Sequence, residues 1–137
     1  MSAQMKEKLK VLILEDNIYD AELNISQLKK EIWDLEIRVT LKKEAFVKEL
    51  SDFDPDIILS DYNLPKYTGI EALELCLKEK PLTPLIIVTG SLDEETAVDC
   101  IKKGAWDYVL KEHLVRLNPA VKHALNLSRE RMKRKEA

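Results

Sequence analysis

With 137 residues, 45% hydrophobic, 34% charged, 3 Gly and 5 Pro, the chain has room for one domain around one sizeable core. That balance excludes a collagen-like, disordered or two-domain architecture. The net charge of −3 is uneven: six Lys or Arg face two Glu from Lys122 onward, leaving 16 basic and 23 acidic residues before it, an acidic body that does not suit nucleic acid.

The opening MSAQMKEKLK lacks the apolar stretch of a secretory signal, and no apolar run approaches the ~18 residues of a membrane span. Cys76 and Cys100 form neither a disulfide framework nor a CxxC pair. A cytoplasmic protein with reduced thiols is therefore expected. Val11–Leu14 is apolar without alternation and predicts a strand buried on both faces. Asp16 or Asn17 caps a helix over 18–32 with Ile18, Ala21, Ile25, Leu28 and Ile32 on one stripe. Trp33 ends that helix and covers the edge of the next strand, Leu35–Thr40, whose alternation marks it as half-exposed. A helix over 43–51 offers Phe46, Val47 and Leu50, and Ile57–Leu59 is a second buried strand. A helix over 70–79 offers Ile70, Leu73, Cys76 and Leu77, followed by a third buried strand at Leu85–Val88. Residues 94–103 carry Ala97, Val98, Cys100 and Ile101 and stop at Gly104, placed as a helix C-cap. Trp106–Leu110 is a mixed fifth strand, and a last helix starts near Asn118-Pro119 with Val121, Ala124, Leu125 and Met132. Trp106 shares strand parity with Tyr108, so it packs under this helix or lines an interface.

Five β-α units with short links predict an α/β fold: a doubly wound, five-stranded parallel sheet in the order 2-1-3-4-5, flavodoxin-like, with five helices. In such a sheet all strands end on one edge, where ligands bind. Glu15 and Asp16 end the first strand, Asp61 the third, Thr89-Gly90-Ser91 the fourth and Lys111 the fifth. Crowded carboxylates repel unless a proton or a cation joins them, and Mg²⁺ suits such oxygen donors. With Mg²⁺ and Lys111 the three carboxylates balance to neutrality. The site then admits an anionic phosphoryl group to a carboxylate nucleophile, with Thr89 and Lys111 on its oxygens and Gly90 leaving room. Singly, each residue has a plainer reading as a cap, a turn residue, a loop or a solvated charge. Their joint placement at four strand ends carries the signal.

The segments VLILEDN (11–17), DIILSDYNLPKYTGIEAL (56–73), PLIIVTGS (84–91) and KKGAWDYVLK (102–111) resemble the receiver domain of response regulators in two-component signalling, chemotaxis-regulator-like. The likeness runs from about Lys8 to about Leu127. It implies a phosphorylation-dependent switch in which Asp61 accepts a phosphoryl group from a phosphohistidine of a sensor histidine kinase or histidine phosphotransfer protein. It implies Mg²⁺ on Asp16, Asp61 and the carbonyl of Asn63, with Glu15 acting through a metal-bound water. Thr89 and Lys111 would contact the phosphoryl group, and Tyr108 would be the aromatic switch that follows Thr89. Asn63 and Ser91 take positions that tune the phosphoryl lifetime. A downstream output domain or protein is the implied partner, with neither membrane nor direct nucleic-acid binding.

Two features depart from the family pattern. Glu112-His113 replaces the usual Pro and aromatic residue, so the Lys111–Glu112 bond is expected to be trans. Residues 128–137 form a basic helical extension beyond a 1–127 receiver unit, a linker to a further domain or a frayed end. The chain catalyses only its own phosphoryl transfer and dephosphorylation on this reading. A receiver cut from a hybrid kinase or multidomain regulator is the alternative. An Asp-nucleophile phosphatase is more distant, because its nucleophile follows the first strand with a second Asp two residues on. A flavin module needs a Ser/Thr/Gly-rich phosphate loop where Glu15-Asp16 stand. His113 and His123 are expected as solvated imidazoles, and Cys76 and Cys100 as core residues.

Overall fold

The computed structural model describes residues 8–32, 34–64, 67–90 and 93–136, so Trp33 and Ser91 lie outside the described residues. Along the chain these form β1 (Leu9–Leu14), α1 (Ile18–Lys29), β2 (Leu35–Thr40), α2 (Lys43–Asp52), β3 (Ile57–Ser60), β4 (Asn63–Leu64) and β5 (Tyr67–Thr68). Then come α3 (Gly69–Glu79), β6 (Leu85–Thr89), α4 (Glu94–Lys102), β7 (Asp107–Leu110), a 3₁₀ segment (Lys111–Arg116) and α5 (Leu117–Glu136). The two-residue strands β4 and β5 pair antiparallel with each other. The other five form one sheet in the order β2-β1-β3-β6-β7, parallel throughout. This is the predicted 2-1-3-4-5 arrangement. The expected edge strands β2 and β7 take the edges, and the three continuous apolar runs fill the middle, where burial on both faces favours branched aliphatic side chains.

The sheet separates two apolar layers. Leu12, Leu14, Ile58 and Ile87 face Phe46 and Leu50 of α2, Leu73 and Cys76 of α3, and Cys100 of α4. Val11, Ile13, Leu59 and Val88 face Ala21 and Leu28 of α1 and Leu117, Val121 and Ala124 of α5. Alternate residues of each strand therefore serve opposite layers.

Helix ends follow side-chain chemistry. Asn17, not Asp16, caps α1, its Oδ1 accepting from the Tyr19 and Asp20 amides. Thr68 and Glu71 make a reciprocal capping box on α3. Gly104 follows α4 with φ +116°, where a Cβ would meet Leu77 Cδ1 at 2.8 Å.

Several expectations need correction. α1 stops at Lys29 rather than 32, and Ile18, in its first turn at the open edge of the sheet, is 67% exposed. Val47, Leu77, Val98, Ile101 and Met132 are also exposed, so the helical stripes are narrower than predicted. The last helix begins at Leu117, after a 3₁₀ segment that no periodicity announced. Trp106 precedes β7 and does not share the parity of Tyr108, although it does pack under the last helix, one of its two expected places. It packs on the α1–α5 layer beneath the Arg131 guanidinium, 4.3 Å from the ring centroid, whereas Tyr108 packs on the opposite layer. The extension beyond 127 keeps touching the body, since the buried Ser128 donates to the Leu82 carbonyl at 2.6 Å.

Candidate functional site

The carboxyl edge is built by backbone bonds between neighbouring strands. The Glu15 amide donates to Thr40 O (3.1 Å) and the Asp61 amide to Leu14 O (2.9 Å), which fixes both acidic residues beside the end of β1. Ser60 and Thr89 are buried at the ends of β3 and β6. Thr89 pairs in register with Leu110, so Lys111 follows at the mouth of the same crevice.

One carboxylate oxygen from each of Glu15, Asp16 and Asp61 lies within 4.8 Å of the others. Glu15 is 4% exposed and Asp61 8%, while Asp16 faces solvent. Asp61 Oδ1 is buried without a hydrogen-bond partner among the described residues. A buried carboxylate oxygen left unpaired is costly, and this one has a coordination site to offer. The donor set, all hard oxygens at close range, fits a divalent cation such as Mg²⁺.

The Lys111 ammonium gathers the acids. It lies 2.8 Å from Glu15 Oε1, 2.7 Å from Asp20 Oδ2 and 3.3 Å from Asp61 Oδ2. Burial works against its charge, but the bonds to Asp20 and Glu15 and the fields of Asp61 and Glu15 outweigh it and raise its pKa above the lysine range. Burial pushes the Glu15 carboxyl upward, a shift reinforced by Asp61 and opposed by the bonds from Lys111 and the Asn17 amide. The Lys111–Glu112 bond is trans, as expected, and the 3₁₀ turn still aims the ammonium inward.

The edge thus unites Glu15, Asp16, Asp61, Thr89 and Lys111. Asn63 is exposed in β4, directly after the Asp61 turn and paired with Thr68. Tyr108 is half-buried, aligned with Ile87 two positions before Thr89. Among the described residues a Cβ at Gly90 would meet Lys111 Cδ at 3.9 Å, an ordinary contact, so the space beside Thr89 is open here. Gly69 matters more than expected: its amide donates to Tyr62 O at 2.8 Å, and a Cβ there would lie 2.9 Å from the Asp61 carbonyl oxygen. Sequence reasoning missed Asp20.

A family model for the response regulator receiver domain matches residues 11–122. The chain belongs to this family. Receiver domains are signalling modules of two-component systems, and this chain is one of them. It is 40% identical over 78 residues to regulatory protein AtoC of Escherichia coli, covering 56% of this chain and 17% of AtoC. It is 29% identical over 106 residues to chemotaxis protein CheY of Listeria monocytogenes, covering 75% of this chain and 86% of CheY. The CheY-like response regulator receiver domain protein from Methanospirillum hungatei superposes with a TM-score of 0.76 at 26% identity, covering 91% of this receiver domain and 99% of that chain.

No helix among the described residues is long and apolar enough to cross a membrane.

Proposed function

We propose that this receiver domain accepts a phosphoryl group on Asp61 from a phosphohistidine of a sensor kinase or a histidine phosphotransfer protein. The observation that carries the reading is Asp61 Oδ1, buried and unpaired beside two further carboxylates and a lysine. Attack by an Asp61 oxygen forms a P–O bond as the donor's P–N bond breaks and the imidazole leaves with the bonding pair. Asp16, Asp61 and the Asn63 carbonyl would hold Mg²⁺, with Glu15 acting through a water on it. Bound there, Mg²⁺ supplies positive charge against the phosphoryl oxygens. The hydroxyl of Thr89 and the ammonium of Lys111 donate to the same oxygens.

Phosphorylation replaces one carboxylate charge with a phosphoryl dianion and draws Thr89 inward. Withdrawal of Thr89 opens space for the Tyr108 ring and resets the surface around 93–110, so that partner binding there depends on phosphorylation. The chain performs no chemistry beyond its own phosphoryl transfer and dephosphorylation, acts in the cytoplasm and binds no nucleic acid directly. Residues 128–137 serve as a helical linker to an output domain, a reading supported by α5 running unbroken to Glu136.

Acetyl phosphate should label the protein in Mg²⁺, and both EDTA and Asp61→Asn should abolish labelling. Label retained in Asp61→Asn at an acid-stable, hydroxylamine-resistant position would contradict the acyl-phosphate mechanism. Deletion of 129–137 should leave labelling intact.

A further inference from the structure

Lys111 makes its shortest contact with Asp20, the acid that lies outside the cation-binding group. Its ammonium has three N–H bonds and three carboxylate neighbours, at 2.7 Å (Asp20), 2.8 Å (Glu15) and 3.3 Å (Asp61). Glu15 and Asp61 also belong to the cluster that fits a divalent cation; Asp20 does not. A cation bound in that cluster repels the ammonium and draws on the lone pairs of two of its three partners. Asp20 is then the carboxylate left to hold it.

The local fold prepares Asp20 for this task. It is the third residue of α1, the position from which an acidic side chain commonly reaches back to the cap amide. Glu71 does so in α3, accepting from the Thr68 amide at 3.3 Å. In α1 the cap amide, that of Asn17, instead donates to Glu15 Oε2 at 3.1 Å. The Asp20 carboxylate is thereby released from capping and turned toward Lys111, on a helix whose first turn is locked by Asn17.

We propose that Asp20 is a positioning residue that retains Lys111 at the carboxyl edge while Glu15 and Asp61 engage Mg²⁺. This inference rests on the phosphoryl-accepting reading of Asp61. It assigns α1 a part in aiming the cation that meets the incoming phosphoryl group.

The sign of the effect discriminates. If Asp20 acted only as one more negative charge, Asp20→Asn would speed uptake of anionic acetyl phosphate. A positioning role predicts that Asp20→Asn slows labelling at saturating Mg²⁺ by about three- to tenfold. In a Lys111→Met background the same substitution should have no further effect, because its route of action is gone. A readout independent of labelling is the Lys111 ammonium proton signal by NMR. With Mg²⁺ it should persist in the unmutated protein and broaden into solvent exchange in Asp20→Asn.

Labelling as fast as or faster than the unmutated protein, or an equal slowing with and without Lys111, would overturn the proposal. If the unmutated protein takes up no label at Asp61, the phosphoryl reading fails by itself. The ammonium signal in Mg²⁺ alone then still decides whether Asp20 holds Lys111.

Discussion

The interiors of the central strands and their carboxyl ends lie a residue apart and obey opposite rules. Val11 to Leu14 are wholly buried among aliphatic neighbours, and the next residue is the buried acid Glu15. β3 passes from Ile57, Ile58 and Leu59 through the buried Ser60 to Asp61. The interiors satisfy every requirement of a stable sheet: branched side chains, a complete backbone ladder and no buried charge. At the ends, three carboxylates share one ammonium, Asp16 crowds two of them, and an oxygen is left unpaired. The conflict at the edge is tolerable because the interior supplies the stability, and the edge is where chemistry is available.

Substitution should separate the two regions. The largest effect is expected from Asp61→Asn, which removes labelling altogether while relieving repulsion. Its melting temperature without Mg²⁺ should match or exceed that of the unmutated protein, and a marked fall would show that Asp61 supports the fold. Leu12→Ala is the converse. It empties a fully buried site at a cost of about 2–5 kcal/mol, read from denaturant unfolding, yet the labelling rate at temperatures well below the transition should be unchanged.

Gly69→Ala tests the seam between the regions, because a Cβ at 2.9 Å from the Asp61 carbonyl presses on the functional turn and, at 3.2 Å, on Ile87 of the core. A loss of about 1–3 kcal/mol together with slower labelling is expected. Stability lost without any change in rate would uncouple the two. The smallest effect concerns Cys76, whose thiol burial pushes up to about 12 from an ordinary value of 9.0. A pKa raised in the folded state favours the protonated thiol, so its contribution to stability is intact below about pH 9 and declines as pH climbs toward 12. At pH 8 the native protein should not react with a disulfide reagent until urea unfolds it. Rapid native reaction would show the core layer to be open.

Much of this arrangement was legible because the decisive residues stand at the ends of recognisable runs. Three apolar strands without alternation, flanked by edge-like second and fifth strands, set the sheet order, and Glu15, Asp61, Thr89 and Lys111 stand at the ends of the first, third, fourth and fifth. What escaped notice has local physical causes. Asp20 reads as an ordinary acid favourable to a helix N-terminus, and only the diversion of the Asn17 amide to Glu15 reveals its other partner. The hairpin of β4 and β5 is too short for a periodic pattern, as is the 3₁₀ turn after Lys111. Trp106 was assigned by the parity of a strand that begins one residue later.

Hydrogen bonds to backbone carbonyls fasten the last helix near its start and again ten residues on. Near its start Asn118 donates to the Gln27 carbonyl of α1 at 2.8 Å, and Ser128 donates to the Leu82 carbonyl just before β6. Those anchors lie ten residues apart, about 15 Å along the axis. A rod pinned once can swivel; a rod pinned twice has a bearing. Apart from Arg131, which lies over Trp106, the basic side chains from Arg129 to Lys135 therefore leave the body along a direction set by α1 and the β6 approach. Turning them relative to the sheet requires breaking hydrogen bonds, not merely flexing a loop.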